Sequence, residues 1–314
     1  MNGHVPVLPA ETLGLLDPQP GEIMVDCTVG QGGHAALVSA SLGPAGTVIG
    51  FDVDPGALAV AADRLRGTGA AFEPVRDNFV RVAHHLTRLD RQADVVLADL
   101  GFSSCQMDDP NRGLAFGLDG PLDMRLDPDG PVTAAELVAT MPEQELAHVI
   151  SRYGQEPLAR KIARLVAQSR DHGAITSTTQ LADIVVEAYG NRARSSRKHP
   201  ATRTFMALRI AVNDELAALE ALLGHIADGV SEAGGGWLST GARIAIISFH
   251  SLEDRMVKRA FAQLLDRGLA ERLTRRPVTA GDDEVAVNPR ARSAKLRVIR
   301  LSARIADRTP PGGR

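Results

Sequence analysis

Three β-branched runs in the first third of the chain each end in aspartate: Ile23-Met24-Val25-Asp26, Thr47-Val48-Ile49-Gly50-Phe51-Asp52 and Ala93-Asp94-Val95-Val96-Leu97-Ala98-Asp99. A fourth run, Phe72-Glu73-Pro74-Val75, lies between the last two. Residues 35–42, 55–66 and 79–89 separate the runs and carry helical patterns. Pro55 suits a first helical turn, where its missing N–H is harmless. Strands alternating with helices predict parallel βαβ units and an open α/β sheet. In such sheets ligands bind beyond the carboxyl ends of the strands, so Asp26, Asp52 and Asp99 are expected to face one crevice. One strand-end aspartate carries little meaning; three in succession form a constellation.

The pattern changes along the 314 residues, a length that favours two domains. Residues 1–106 are the first part of the sheet domain, and residues 107–203 read as an inserted all-helical domain for substrate recognition. Thr133-Ala-Ala-Glu136 and Ser177-Thr-Thr-Gln180 are capping-box signatures there. Pro142 and Pro157 open further helices, and Gly173 and Gly190 close two. The insert begins acidic, with nine Asp or Glu in residues 107–145 against Arg112 and Arg125. It ends basic, with six Arg or Lys and no acid in residues 190–209. The sheet domain resumes over 204–306. Phe205, Leu208, Val212, Leu216, Leu219 and Leu223 recur at helical spacing and predict one long amphipathic helix. Residues 243–248 form a buried-strand run, and Lys295–Leu301 alternates as a half-exposed final strand. Residues 307–314, rich in Pro and Gly, are expected to be a disordered tail.

Composition excludes several classes. Thirty-five Lys and Arg against 38 Asp and Glu leave a net charge of −3, so a uniformly basic coat is out, though local basic patches are not. An apolar share of 44% excludes wholesale disorder. Cys27 and Cys105 cannot build a disulfide framework or a cysteine zinc site. The first residues have neither the charged flank nor the apolar stretch of a secretory signal, and no run approaches the roughly 20 apolar residues of a membrane span. A soluble cytoplasmic protein is expected.

Between the first strand and first helix lies Asp26-Cys-Thr-Val-Gly30-Gln-Gly32-Gly33-His34. Glycines there let backbone approach a ligand and free helix N–H groups to face it. Asp52, 20 residues after Gly32, stands where an acid commonly holds ribose hydroxyls. Ala35 takes the third position of the dinucleotide fingerprint G-x-G-x-x-G, which points away from nicotinamide and toward a nucleoside cofactor without pyrophosphate, chiefly S-adenosylmethionine. The competing reading is a bare strand-to-helix turn; Asp52 and Asp99 weigh against it.

Six motifs share a resemblance: Gly30-Gln-Gly-Gly-His34, Asp99-Leu-Gly-Phe-Ser-Ser104, Gly120-Pro-Leu-Asp-Met-Arg125, Lys198-His-Pro-Ala-Thr-Arg-Thr-Phe205, Ser248-Phe-His-Ser-Leu-Glu-Asp254 and Asn288-Pro-Arg-Ala-Arg292. In this order, from His4 to Leu301, the chain resembles the bacterial 16S rRNA (cytosine-N4)-methyltransferases. The resemblance implies a class I (Rossmann-like) methyltransferase sheet interrupted by a helical domain. It also implies methyl transfer from S-adenosylmethionine to N4 of a cytidine in the decoding region of 16S rRNA, within the small ribosomal subunit. The family's cofactor contacts fall on Gly32, Gly33, His34, Asp52, Phe79, Asp99 and Gln106. Asp52 would accept the ribose hydroxyls, Phe79 flank the adenine and Asp99 lie on the sulfonium side. Cys105 departs from the family, which usually carries proline before this glutamine.

Cytosine N4 is a poor nucleophile because its lone pair is delocalised, so transfer needs in-line positioning more than a strong base. By analogy with the Asp/Asn-Pro-Pro-aromatic tetrapeptide of other amino-methyltransferases, Asp99 or a nearby carbonyl would accept from N4. Phe102 would stack on the base or simply pack in the core. His250 is a candidate to orient the base or receive the proton, with Ser251 expected to cap the following helix. Asp123 and Arg125 either line the cytidine pocket or form an internal ion pair. His84-His85 reads as a surface pair, and the chemistry calls for no metal. Arg192, Arg194, Arg197, Lys198 and Arg203 form one candidate phosphate-binding patch; Arg290, Arg292, Lys295, Arg297 and Arg300 form another. At 4% aromatics, extensive base stacking is not expected, which favours recognition of an assembled particle by shape. The oligomeric state is not encoded in any motif, and a homodimer stays open. Two other readings stay open too: an enzyme of this fold acting on DNA or a small amine, and a non-catalytic ribosome-assembly factor.

Overall fold

The structure is a computed structural model describing residues 6–195, 199–231 and 236–302. The expected tail at 307–314 lies outside the described residues. The chain divides into two compact units, one running to Gly101 and resuming at Ala217, the other spanning Phe102–Leu216. The sequence patterns put these junctions at 106/107 and 203/204.

The first unit is built on seven strands: β1 (Ile23–Asp26), β2 (Thr47–Asp52), β3 (Ala71–Arg76), β4 (Ala93–Asp99), β5 (Leu238–Ser248), β6 (Ala270–Arg272) and β7 (Lys295–Leu301), in the order β3-β2-β1-β4-β5-β7-β6. β1 to β5 pair in parallel, and β7 runs antiparallel between β5 and β6. The pleat sends alternate residues to opposite faces. Val25, Ile49, Phe51, Val96 and Ile246 pack under the helices Val82–Arg88, Glu215–Ser231 and Ser251–Asp266. Met24, Val48, Val95, Leu97 and Ile247 pack under Pro9–Leu16, Gly33–Leu42 and Pro55–Leu65. The result is the expected doubly wound α/β sheet with helices on both faces. Strand order reverses between β1 and β4, the switch point beyond which such sheets bind ligands.

Three local expectations are revised. β5 starts at Leu238 rather than 243, because a register shift against β4 between Ala93 and Val95 and the left-handed Gly241 (φ 80°) absorb an irregularity without ending the strand. The single long helix over 205–223 is two helices, Ala201–Val212 and Glu215–Ser231. The break has a side-chain cause. The Asn213 amide donates to the carbonyls of Met124 (2.8 Å) and Arg209 (2.9 Å) and accepts from Leu126 N (2.7 Å). Asp214 then turns left-handed at φ 49°. Third, the helix after β5 is capped by His250 rather than Ser251.

The second unit is helical, with Ala134–Thr140, Glu143–Gly154, Ala159–His172, Thr178–Tyr189 and Ala201–Val212 around Leu122, Met124, Leu146, Ile162, Leu181 and Phe205. Both expected capping boxes, Thr133 with Glu136 and Ser177 with Gln180, are formed. Among the described residues, no helix is long and apolar enough to cross a membrane.

Candidate active site

The carboxyl ends of β1, β2 and β4 carry Asp26, Asp52 and Asp99, and the loop after β1 is folded against them. Gly30 and Gly32 adopt left-handed φ of 50° and 76°, a region open to glycine at little cost. A Cβ at Gly32 would also stand 2.7 Å from Leu65 Cδ1 and 3.2 Å from Ala61 Cα, so the loop sits directly on the helix Pro55–Leu65. Asp52 fastens this turn: Oδ2 accepts from Gly30 N at 2.8 Å and Oδ1 from Asp54 N at 2.9 Å. Asp26 Oδ1 accepts from Thr28 N at 3.1 Å, and Thr28 Oγ1 in turn accepts from Asp99 N at 2.7 Å. Thr28 thus ties the end of β1 to the end of β4, a role that no sequence motif announces.

The electrostatics are those of crowded carboxylates. Burial pushes Asp26, 2% exposed, up to about 7; the Thr28 N–H opposes this and the Asp52 charge adds to it. Burial lifts Asp99 to about 8, with Asp26 and Glu253 adding repulsion. Asp52 is raised by burial, with its backbone N–H donors pulling the other way. Asp99 Oδ1 is buried and accepts no hydrogen bond among the described residues, while Oδ2 lies 3.7 Å from His34 Nε2. His34 is in the first turn of the helix Gly33–Leu42, 6% exposed.

Glu253, 3% exposed, reads from the sequence only as an acidic residue in the first turn of the helix after β5. Its Oε2 accepts from Phe249 N (2.9 Å) and His250 N (3.2 Å), and His250 Nδ1 accepts from Glu253 N at 3.4 Å. His250 Nε2 is 3.2 Å from Glu253 Oε1. The i, i+3 spacing of a capping box was the available signal; histidine in the capping position hid it.

The first unit therefore brings Gly32, Gly33, His34, Asp52, Asp99 and His250 to one end of the sheet, with Phe79 in the turn Phe79–Arg81 that follows β3. Gln106 belongs to the second unit, where its Oε1 accepts from Ser103 N (2.9 Å) and its own N–H donates to Ser103 Oγ (3.2 Å). That box holds the short helix Ser104–Asp108, so Cys105, exposed in its first turn, does not leave the loop without a local anchor. Phe102 packs on the helical core and has the Arg209 guanidinium 4.6 Å from its ring centroid. Of the two readings of Asp123 and Arg125, the ion pair is formed: Nε to Oδ1 is 2.8 Å and Nη2 to Oδ2 2.7 Å, with Nη1 donating to Gly130 O at 2.9 Å.

The sequence profile of the MraW methylase family matches residues 1–302. This chain belongs to that family. It is 47% identical over 310 residues to the ribosomal RNA small subunit methyltransferase H of Geobacter sulfurreducens, covering 94% of this chain and 97% of that one. Against the protein of the same name from Sorangium cellulosum it is 48% identical over 298 residues, covering 95% and 90%. The Symbiobacterium thermophilum protein of that name is 45% identical over 317 residues, covering 96% and 97%. As a member of the MraW methylase family, the chain is an S-adenosylmethionine-dependent methyltransferase, and its doubly wound sheet is the Rossmann-like sheet of that class.

The two basic runs differ in what the fold leaves available. Arg192, Arg194 and Arg203 are exposed on the helical unit, whereas Arg197 and Lys198 lie outside the described residues. In the second run Asp254 takes two of the cations, Arg297 Nε at 2.7 Å and Lys295 Nζ at 3.3 Å, and holds its own carboxyl below the usual range against the burial that would raise it. Arg292 and Arg300 remain exposed.

Proposed function

We propose that this methyltransferase modifies the exocyclic N4 of a cytidine in the decoding region of 16S rRNA, within the small ribosomal subunit. The observation that carries the chemistry is Asp99: a carboxylate fixed by a central strand, with Oδ1 buried and accepting no hydrogen bond among the described residues. A buried acceptor left without a donor is costly unless a ligand supplies one, and an amino group does. The methyl donor, when bound, supplies an electrophilic methyl on a sulfonium centre. Gly32 and Gly33 would let it approach the backbone, and Asp52, held in place by the Gly30 and Asp54 N–H groups, would accept its ribose hydroxyls. Phe79 would flank the adenine. His34 stands beside Asp99 to fix the orientation of that carboxylate.

Asp99 would accept an N4–H bond, which orients the nitrogen lone pair toward the methyl and favours the positive charge that develops there. Of the two roles open to His250, orienting is the better supported. Its Nδ1 accepts from a backbone N–H, so a neutral ring carries its proton on Nε2 and has no lone pair left to take another. The helical unit is assigned to RNA recognition on its exposed Arg192, Arg194 and Arg203, whose phosphate contacts would position the substrate without reading sequence.

Labelled S-adenosylmethionine given to this protein with small subunits from a strain lacking it is the direct test. Label is expected in 16S rRNA as methylated cytidine, read by mass spectrometry of digested nucleosides. Label on DNA, on another nucleoside or on no RNA overturns the assignment. Asp52→Ala is expected to weaken S-adenosylmethionine binding by about 1.5–3 kcal/mol, the range of a hydrogen bond to a charged group. Calorimetry on the folded variant checks this, and unchanged affinity removes Asp52 from the donor site.

A further inference from the structure

The ligand end of the first unit gathers carboxylates from four elements, with the Arg64 guanidinium near the Gly33 turn. Asp26 closes β1, 2% exposed, and Asp99 closes the adjacent β4. Facing them are Asp52 from β2 with Asp54 just beyond it, Glu253 from the helix Ser251–Asp266, and the buried thiol of Cys27, which burial pushes far up. Against these stands His34 from the helix Gly33–Leu42, 3.7 Å from Asp99. His250 is engaged with Glu253. Asp26 is buried and Asp99 half-buried on neighbouring parallel strands, and their carboxylates repel each other in a medium that penalises each charge, so they are expected to titrate as a pair.

Given the family's use of S-adenosylmethionine, we propose that Asp26 is a positioning residue acting through Asp99: in the free enzyme the two carboxyls carry one proton as a coupled pair, and that proton is released to solvent when the donor's sulfonium cation binds. The proton leaves a carboxyl O–H and is taken up by buffer; no other bond changes. The positive sulfur restores the balance that burial and repulsion upset, and both carboxylates then ionise. Once the methyl has been transferred the sulfur is neutral, the pair takes a proton back, and the product loses the attraction that held the donor. The arrangement separates donor from product by charge, at a place where their shapes are nearly the same.

The sign follows from the raised values of about 7 for Asp26 and about 8 for Asp99. Acids raised in the free enzyme and lowered in the complex release protons on binding, so donor affinity climbs with pH through the neutral range. The climb approaches tenfold per pH unit for one proton, as linkage requires.

Isothermal titration calorimetry at about pH 7.5, between the two raised values, in phosphate and in Tris counts the protons through the buffers' different ionisation enthalpies. For the full chain we expect roughly half a proton or more released per S-adenosylmethionine bound, and close to none for S-adenosylhomocysteine, which lacks the sulfonium charge. Asp26→Asn is expected to cut the donor's proton count by at least about half and flatten its pH profile, because it removes one partner of the coupled pair. Equal release by both ligands, no release by the donor, or a count unchanged in Asp26→Asn overturns the proposal. If the variant does not fold, the donor-against-product comparison on the natural chain decides alone. Donor binding without proton release overturns the coupling and leaves the methyltransferase reading standing; absence of donor binding overturns both.

Discussion

Asp99→Asn is expected to give a folded protein whose single-turnover methyl transfer is slower by about two orders of magnitude or more, the size associated with one preorganised electrostatic group. Asparagine keeps the shape and one acceptor but loses the charge that, in the proposed N4 chemistry, favours a developing cationic amine. The fold is expected to survive because the Asp99 backbone N–H, not its side chain, bonds Thr28 Oγ1, and because Oδ1 has no internal partner to lose among the described residues. Burial and the neighbouring Asp26 and Glu253 already favour the neutral acid, so replacing it by a neutral amide relieves repulsion. The measurement is the rate on small ribosomal subunits at saturating S-adenosylmethionine, which separates chemistry from any loss of donor affinity. A rate within a few-fold of the natural enzyme would take Asp99 out of the chemistry.

Arg243→Ala is expected to lower the unfolding free energy by about 3 kcal/mol, the low end of the loss when one member of a buried ion pair is removed, because Glu22 is only half-buried. Arg243 is 8% exposed on β5. Its Nη1 donates to Glu22 Oε1 at 2.8 Å and Nη2 to Oε2 at 2.5 Å, while Nε donates to Leu16 O at 2.8 Å and Nη2 to Asp17 O at 3.1 Å. One side chain therefore pins the end of the helix Pro9–Leu16 and the entry to β1. Removing it takes the guanidinium donors from the Glu22 carboxylate and from two carbonyls. Glu22 lies before β1 and Asp26 ends it, so the damage is at the opposite end of that strand from the candidate site, and donor affinity should hold in the folded fraction.

A denaturant series gives the comparison: the midpoint falls while the slope stays constant. A loss under about 1 kcal/mol, the worth of a surface pair, would mean that the pair is effectively solvated. Acid narrows the difference between the two proteins. Burial raises the Glu22 carboxyl, but Arg243 and the Gln19 N–H outweigh it and hold it below the ordinary glutamate range. A folded-state value below the unfolded one means that the stabilisation is present above the unfolded value. It fades as pH falls through the folded one.

Much of the candidate site was legible because its signals are local. β1, β2 and β4 begin and end where the β-branched runs do, and each carries its terminal aspartate to the same end of the sheet. The glycine turn needs only a few consecutive residues to announce its left-handed backbone. What the chain hid was non-local. Lys295 and Arg297 read as free cations in a basic run, yet Asp254, some 40 positions away, binds both. The amphipathic period across 205–223 is uninterrupted, yet Asn213 ends the helix because its amide is bonded to backbone 87 and 89 positions earlier. β6 escaped because three residues on a sheet edge carry too little pattern to be seen.

The sequence by itself determined the alternating parallel sheet, the three carboxylates at its ligand end, the glycine turn beside them and the family, because periodicity, turn chemistry and motif order are written along the chain. Only the tertiary structure decided which charges are available. It joined Asp123 to Arg125 and Arg243 to Glu22, gave His250 to the helix cap, and left Asp99 Oδ1 without a donor among the described residues. It also lifted Asp26 and Asp99 toward neutrality. The reason is physical: pairing and protonation depend on burial and on distances through space, and neither is a property of position along the chain.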